Sequence, residues 1–151
     1  MLVDSGLRVT ELAKVMIEDI QWQEHGIKVI GKGRKERLAP ITEISEPYVK
    51  AWLVESGKTS GSLFDLTAHG IQTICRRIEE RTKMKANPHV FRRSFATIKK
   101  QQGLDIEIIR ILGGWTDLKM PVQYTRAFGF KGAINIMRKV THPMPLMEMV
   151  I

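Results

Sequence analysis

The hydrophobic pattern along this chain is mixed at its start and helical thereafter. Residues 7–15, after a Ser5-Gly6 turn, read as a helix, with Thr10 and Glu11 near its start. The five residues before Gly6 leave no room for a helix of their own. Residues 20–22 read as a short strand. GIKVI (26–30) and RLAPI (37–41) read as two strands, joined by the glycine-bearing turn 31–36 as a hairpin. Pro40 places the second of these at a sheet edge or at its own end, because proline has no N–H for a ladder.

The rest of the chain has helical spacing. Residues 46–55 place Val49, Trp52 and Leu53 on one face. Residues 58–62 (KTSGS) form a surface loop. Residues 68–81 repeat Ile71, Ile74, Cys75 and Ile78 at helical intervals. Asn87-Pro88 predicts a helix start, a capping side chain followed by a residue that suits the first helical position; that helix runs to about Gln102 and ends at Gly103. Shorter helices are predicted over 106–112, stopping at Gly113-Gly114, over 120–128, and over 131–140. The tail from His142 to Ile151 carries two prolines and an apolar run. The fold class is mainly α with a small antiparallel β-sheet near the N-terminus (α+β). The predicted division is a domain over 1–140 and a C-terminal tail over 141–151.

Composition narrows the function classes. The 151 residues are 43% hydrophobic and 26% charged, which suits one folded domain and not a disordered chain. No apolar run reaches the ~18 residues of a membrane span, and the start has no signal-peptide pattern. A single cysteine, Cys75, excludes an intramolecular disulfide, fits a reducing cytoplasm, and reads as a core residue. The four histidines, His25, His69, His89 and His142, are scattered and make no metal-ligand spacing. The net charge of +8 is compatible with a merely solvated surface, with nucleic acid, and with membrane-surface or acidic-protein partners.

Two segments carry candidate chemistry. His89 and Arg92 stand three apart in the first turns of the Asn87-capped helix, so they share a face near a helix end that favours anions. A guanidinium fork binds two phosphate oxygens at once. Taken alone, this pair reads in preference as a surface histidine and arginine without a partner. The second segment is Leu112-Gly113-Gly114-Trp115-Thr116-Asp117 followed by Tyr124, one of two tyrosines in the chain. Taken alone, Tyr124 is readable as a core or rim residue.

Four segments in order resemble the tyrosine recombinase (phage integrase) family. Residues 5–12 (SGLRVTEL) resemble its first arginine box, 29–40 (VIGKGRKERLAP) its lysine hairpin, 89–97 (HVFRRSFAT) its His-x-x-Arg box, and 112–124 its closing histidine-or-tryptophan and tyrosine box. The resemblance implies the catalytic-domain fold of that family and a site made of Arg8, Lys32, His89, Arg92, Trp115 and Tyr124. Arg8 and Arg92 would clamp the scissile phosphate. His89 would bond it and assist proton transfer, and Lys32 would be the general acid for the leaving 5′ oxygen. Trp115 would contact the phosphate and pack the tyrosine helix, and Tyr124 would attack phosphorus to form a 3′-phosphotyrosyl link. Lys35 is the alternative to Lys32. Glu11 would support the site or face solvent as a helix charge. Arg93 is read as a DNA-backbone contact or, in preference, a surface charge. Lys28, Arg34, Arg76, Arg77, Lys99 and Lys100 are candidate phosphate contacts, each more often a solvated side chain.

The same resemblance implies no cofactor and no metal. Its implied partners are double-stranded DNA and other recombinase subunits on it. A homodimer would form through core surface near Leu2 and Val3, there would be no membrane contact, and the setting would be the bacterial cytoplasm at the nucleoid. No segment of residues 1–151 resembles the family's N-terminal DNA-clasping domain, so the expectation is an N-terminally truncated catalytic domain. Three activities fit that reading: DNA cutting and rejoining, nicking and resealing like a type IB topoisomerase, or a catalytically silent DNA-binding remnant.

Overall fold

In the computed structural model, residues 1–31, 36–126 and 129–140 are described. The order is α1 (Leu2–Ser5), α2 (Val9–Leu12), a 3-10 turn (Ile17–Asp19), β1 (Ile20–Gln21), β2 (Gly26–Ile30), β3 (Glu36–Pro40), α3 (Glu46–Ser56), α4 (Ala68–Thr82), α5 (Pro88–Gln101), α6 (Ile106–Gly113), α7 (Lys119–Thr125) and α8 (Gly129–Val140). The strands form one antiparallel sheet in the order β1-β2-β3. Pro40 closes β3 at the sheet's edge, opposite Gly26, as its missing donor requires.

Two predicted features differ. A helical turn does precede Gly6, and it is held by tertiary bonds that a four-residue segment could not supply itself. The Asp4 carboxylate accepts from the Thr42 backbone N–H (3.1 Å), the Thr42 hydroxyl (2.8 Å) and the Ser45 hydroxyl, and α1 lies against α5. The helix predicted over 7–15 is shorter. Arg8 is extended (φ −71°, ψ 151°) and caps α2, whose fourth residue is Leu12. Beyond Ala13 the backbone leaves the helix to pair elsewhere: Val15 accepts from the Leu63 N–H at 2.9 Å, and Met16 bridges Ser62.

Register sets the inner face of the sheet. Ile27 pairs with Ala39 and Val29 with Arg37, and since alternate residues share a face, all four point the same way. Ile27, Val29 and Ala39 are buried with Leu7, Leu12, Val15, Ile41, Val49, Leu63, Ile71 and Cys75 in one aliphatic core under α3 and α4. Ile74 and Ile78 of α4 are not enclosed. With Leu2, Val3, Tyr48 and Phe91 they line an apolar groove of about 480 Å³.

A second, smaller core joins α5, α6 and α7 through Phe95, Ala96, Ile109, Trp115 and Tyr124. Asn87 caps α5 as predicted, its Oδ1 accepting the Val90 N–H at 2.9 Å. Asp105 caps α6 through the Glu107 N–H at 2.7 Å. The helix predicted over 120–128 ends as α7 at Thr125, and residues 127–128 lie outside the described residues, as do the hairpin tip 32–35 and the tail 141–151.

Candidate active site

The C-terminal end of α6 organises the site. A helix leaves its last carbonyls without intrahelical partners, and the macrodipole makes that end negative. Here three arginines from distant elements satisfy consecutive carbonyls. Arg37 of β3 donates through Nη1 to the Leu112 oxygen at 2.7 Å, Arg92 of α5 through Nη2 to the Gly113 oxygen at 2.6 Å, and Arg8 through Nη2 to the Gly114 oxygen at 3.1 Å. Arg110 continues the series by donating to the Trp115 oxygen at 2.9 Å. The other Arg92 terminal nitrogen donates to the Gly6 oxygen, which ties α5 to the turn after α1.

Glycine is required where these groups crowd the backbone. Gly114 has φ +64°, and a Cβ there would overlap the Arg37 side chain; a Cβ on Gly113 would overlap the Trp115 ring.

Electrostatic cost follows from packing like charges together. Burial, and then the charges of Arg8 and Arg37, push the Arg92 guanidinium down to about 10, while Glu11 and Tyr124 oppose the shift. Arg92 therefore stays charged at neutral pH. Burial alone would raise the Glu11 carboxyl, but the Arg8 backbone N–H and the Arg37 and Arg8 guanidinium groups outweigh it and hold it below its ordinary value. Glu11 Oε1 takes Arg8 Nη1 at 2.6 Å, and Oε2 takes both the Arg8 backbone N–H at 2.7 Å and Arg37 Nη2 at 2.9 Å. Glu11 is thus buried between two arginines and is not a solvent-facing helix charge.

The aromatic residues extend from this cluster. The Arg92 guanidinium lies over the Trp115 ring, 4.2 Å from its centroid. Trp115 meets Tyr124 edge-on at 6.0 Å, and Tyr124 meets His89 edge-on at 5.7 Å. Thr97 of α5 donates to the Tyr124 carbonyl oxygen at 3.1 Å, which fixes α7 on α5.

The structure therefore brings five of the six predicted residues, Arg8, His89, Arg92, Trp115 and Tyr124, into one contiguous cluster. Lys32 and its alternative Lys35 lie outside the described residues, as does Arg34. The base of their hairpin borders the cluster: Lys28, Ile30, Gly31 and Glu36 line a cavity of about 690 Å³ with Arg8 and Glu11. Arg93 is exposed, and its guanidinium lies 5.9 Å from the Tyr124 ring centroid. Lys99 departs from the solvated reading. It is nearly buried, 3.9 Å from the Asp4 carboxylate. Lys28 pairs with Glu36 at 3.1 Å and Arg76 approaches Glu80 at 3.8 Å, so both have partners in the fold.

Arg37 and Thr97 lie inside the motif segments 29–40 and 89–97, where the resemblance gives them no role. A signal for Arg37 existed: two residues before Ala39 on a strand with alternating burial, it is a charge at an inward position. Thr97 had no such signal, since only the docking of α7 onto α5 gives its hydroxyl a distant acceptor. Chemically, this arrangement offers a tetrahedral anion several fixed donors and presents a phenol, an indole and an imidazole beside them.

Comparison with known proteins agrees with the architecture. Residues 1–129 match the model of the phage integrase family. Tyrosine recombinase XerD of Haemophilus influenzae is 32% identical over 141 residues, covering 83% of this chain and 47% of that protein. Tyrosine recombinase XerC of Staphylococcus haemolyticus is 30% identical over 137 residues, covering 83% of this chain and 46% of that protein. The chain thus spans about half the length of the curated relatives it matches. The crystal structure of XerA recombinase superposes with a TM-score of 0.77 at 26% identity, covering 93% of this chain and 56% of that one. The XerH recombinase in its post-cleavage complex with the difH substrate shares the fold, with a TM-score of 0.70 at 24% identity over 91% of this chain and 43% of that one. With a family model matched across most of its length and the four motif segments folded around one cluster, this chain belongs to the phage integrase family of tyrosine recombinases.

Proposed function

We propose that this chain is the catalytic domain of a site-specific DNA recombinase, residues 1–140, with a C-terminal tail over 141–151. In this reading it cuts and rejoins double-stranded DNA through a 3′-phosphotyrosyl intermediate. The observation that carries the reading is the unbroken contact path from Arg92 through Trp115 and Tyr124 to His89, beside Arg8. The Tyr124 phenolic oxygen attacks phosphorus as its proton passes to solvent with the help of His89, whose ring lies against it. The P–O5′ bond breaks, and the 5′ oxygen takes a proton from Lys32. The reverse attack by a 5′ hydroxyl reseals the strand and releases the tyrosine, so bond energy is conserved and no nucleotide is consumed.

A neutral phenol is a weak nucleophile at neutral pH. Arg8 and Arg92 favour the extra charge that builds on the non-bridging phosphate oxygens, and fixed donors of this type are worth roughly 3–4 kcal/mol each in comparable oxyanion sites. His89, with its ring against Tyr124, bonds the phosphate and assists proton transfer. Trp115 donates through its indole N–H and cannot act as a base. The net charge of +8 supports DNA as the substrate. The partners in this reading are further recombinase subunits bound to the same DNA. The apolar groove beside Leu2 and Val3 supports a homodimer, which sedimentation would detect. The setting is the bacterial cytoplasm at the nucleoid; among the described residues no helix is long and apolar enough to cross a membrane.

Covalent trapping tests the reading. Incubated with a nicked suicide duplex and denatured, the chain is expected to carry a DNA-linked band that Tyr124→Phe abolishes. A band that survives the substitution, or none at any ionic strength, overturns it.

A further inference from the structure

We infer that Arg37 is a positioning residue of this site: through Glu11 and the C-terminal carbonyls of α6 it sets where the Arg8 guanidinium stands. The inference rests on the proposed function for its kinetic consequences, though not for its geometry.

Arg37 is placed to act on protein groups and not on a substrate. Its side chain is 12% exposed, against 37% for Arg8. Nη1 is committed to the Leu112 oxygen and Nη2 to Glu11 Oε2. Nε is buried, with no partner among the described residues, beside Gly114, where no Cβ could be accommodated. Both groups that Arg37 holds also hold Arg8. Glu11 takes Arg8 Nη1 and the Arg8 backbone N–H, and the α6 terminus that Arg37 grips at Leu112 offers Arg8 the Gly114 oxygen.

The physical reason for such an arrangement is that Glu11 is almost wholly buried, and a buried carboxylate with a single partner is poorly held. With Arg37 present, the two Glu11 oxygens are divided between two guanidinium groups. One of these is locked into the sheet by its pairing opposite Val29, so the other is held in one place. Without Arg37, Glu11 turns fully to Arg8 and the α6 terminus loses a donor, so Arg8 shifts. A misplacement of about 1 Å at a reacting centre costs on the order of 10²-fold in rate.

The test uses the full chain carrying Arg37→Met, Arg37→Lys, Glu11→Gln, or Arg37→Met with Glu11→Gln. Two properties are measured. One is the rate of covalent complex formation at saturating nicked duplex, with duplex affinity taken separately. The other is the nitrogen-15 spectrum of the Arg8 guanidinium, identified by its loss in Arg8→Lys.

Arg37→Met is expected to slow the chemical step by roughly 10²-fold with duplex affinity unchanged. Arg37→Lys recovers part of that rate, since one ammonium reaches only one of the two acceptors. The double variant is expected to be no slower than the worse single one, because both act through one coupling. The Arg8 signals shift and average in both Arg37 variants. An unchanged rate, a loss appearing in affinity alone, multiplicative effects in the double variant, or unmoved Arg8 signals would each overturn the inference. If Arg37→Met does not fold, Arg37→Lys and Glu11→Gln decide both arms. If wild-type chain forms no Tyr124-dependent complex, the proposed function fails, and the Arg8 spectra still decide the role of Arg37.

Discussion

The two cores of this molecule are built on different terms. The first, under the sheet, is aliphatic and its members only pack: Leu7, Ile27, Ile41 and Leu63 are almost fully enclosed and carry no polar atom beyond the backbone. The second, between α5, α6 and α7, is small, and two of its five buried members are Trp115 and Tyr124. Its remaining cohesion comes from arginine-to-carbonyl bonds and ring contacts. Aliphatic burial is non-directional and tolerates small shifts, whereas hydrogen bonds and edge-on rings are directional and hold atoms in place. The fold thus separates a region that supplies stability from one that supplies geometry.

The largest test of that division is Arg92→Lys. The charge remains while the fork that spans the Gly6 and Gly113 oxygens is lost. Covalent complex formation is expected to fall by roughly 10²–10³-fold, with the melting transition still cooperative. Comparable losses of rate and folded fraction would break the comparison. Ile27→Ala in the first core is expected to do the reverse: about 3 kcal/mol of stability lost in urea unfolding, with the rate per folded molecule unchanged.

Gly114→Ala probes the seam between the regions. Its left-handed backbone and the adjacent Arg37 side chain both oppose a methyl group. The expected cost is about 1–2 kcal/mol of stability, together with a slower chemical step, and the Arg37 and Arg8 guanidinium spectra would show which bonds moved. The smallest effect concerns pH. Glu11 is held below its ordinary value, so its stabilisation is complete above the unfolded value near ~4.3 and is lost as pH falls through the lower folded value. Glu11→Gln should lower stability at neutral pH and flatten that part of the acid limb, read from urea midpoints across the acid range.

Much of the architecture was legible. The strand 26–30 was read with its observed bounds, since its alternation and flanking turns are local signals. The start of α5 followed from Asn87-Pro88 for the same reason. The candidate site residues outside the hairpin tip stand in ordered motifs, and their convergence in space is a finding of the fold. What was not legible depended on distant partners. The turn α1 exists because Asp4 meets Thr42 and Ser45. Lys99 turned inward because Asp4 is there. The helix over 7–15 is cut short because Val15 is drawn into pairing with Leu63.

By itself, then, the sequence determined the elements whose ends are written in neighbouring residues: period-two strands, an asparagine-capped helix, and helices stopped at glycine. It also determined which chemical groups were available. Only the tertiary structure decided how the arginines divide their work. Arg37, Arg92 and Arg8 meet consecutive carbonyls across separations of 75, 21 and 106 residues. Periodicity reports which face of an element is apolar, not which distant backbone oxygen will need a donor, and that need arises only once α6 ends among the three.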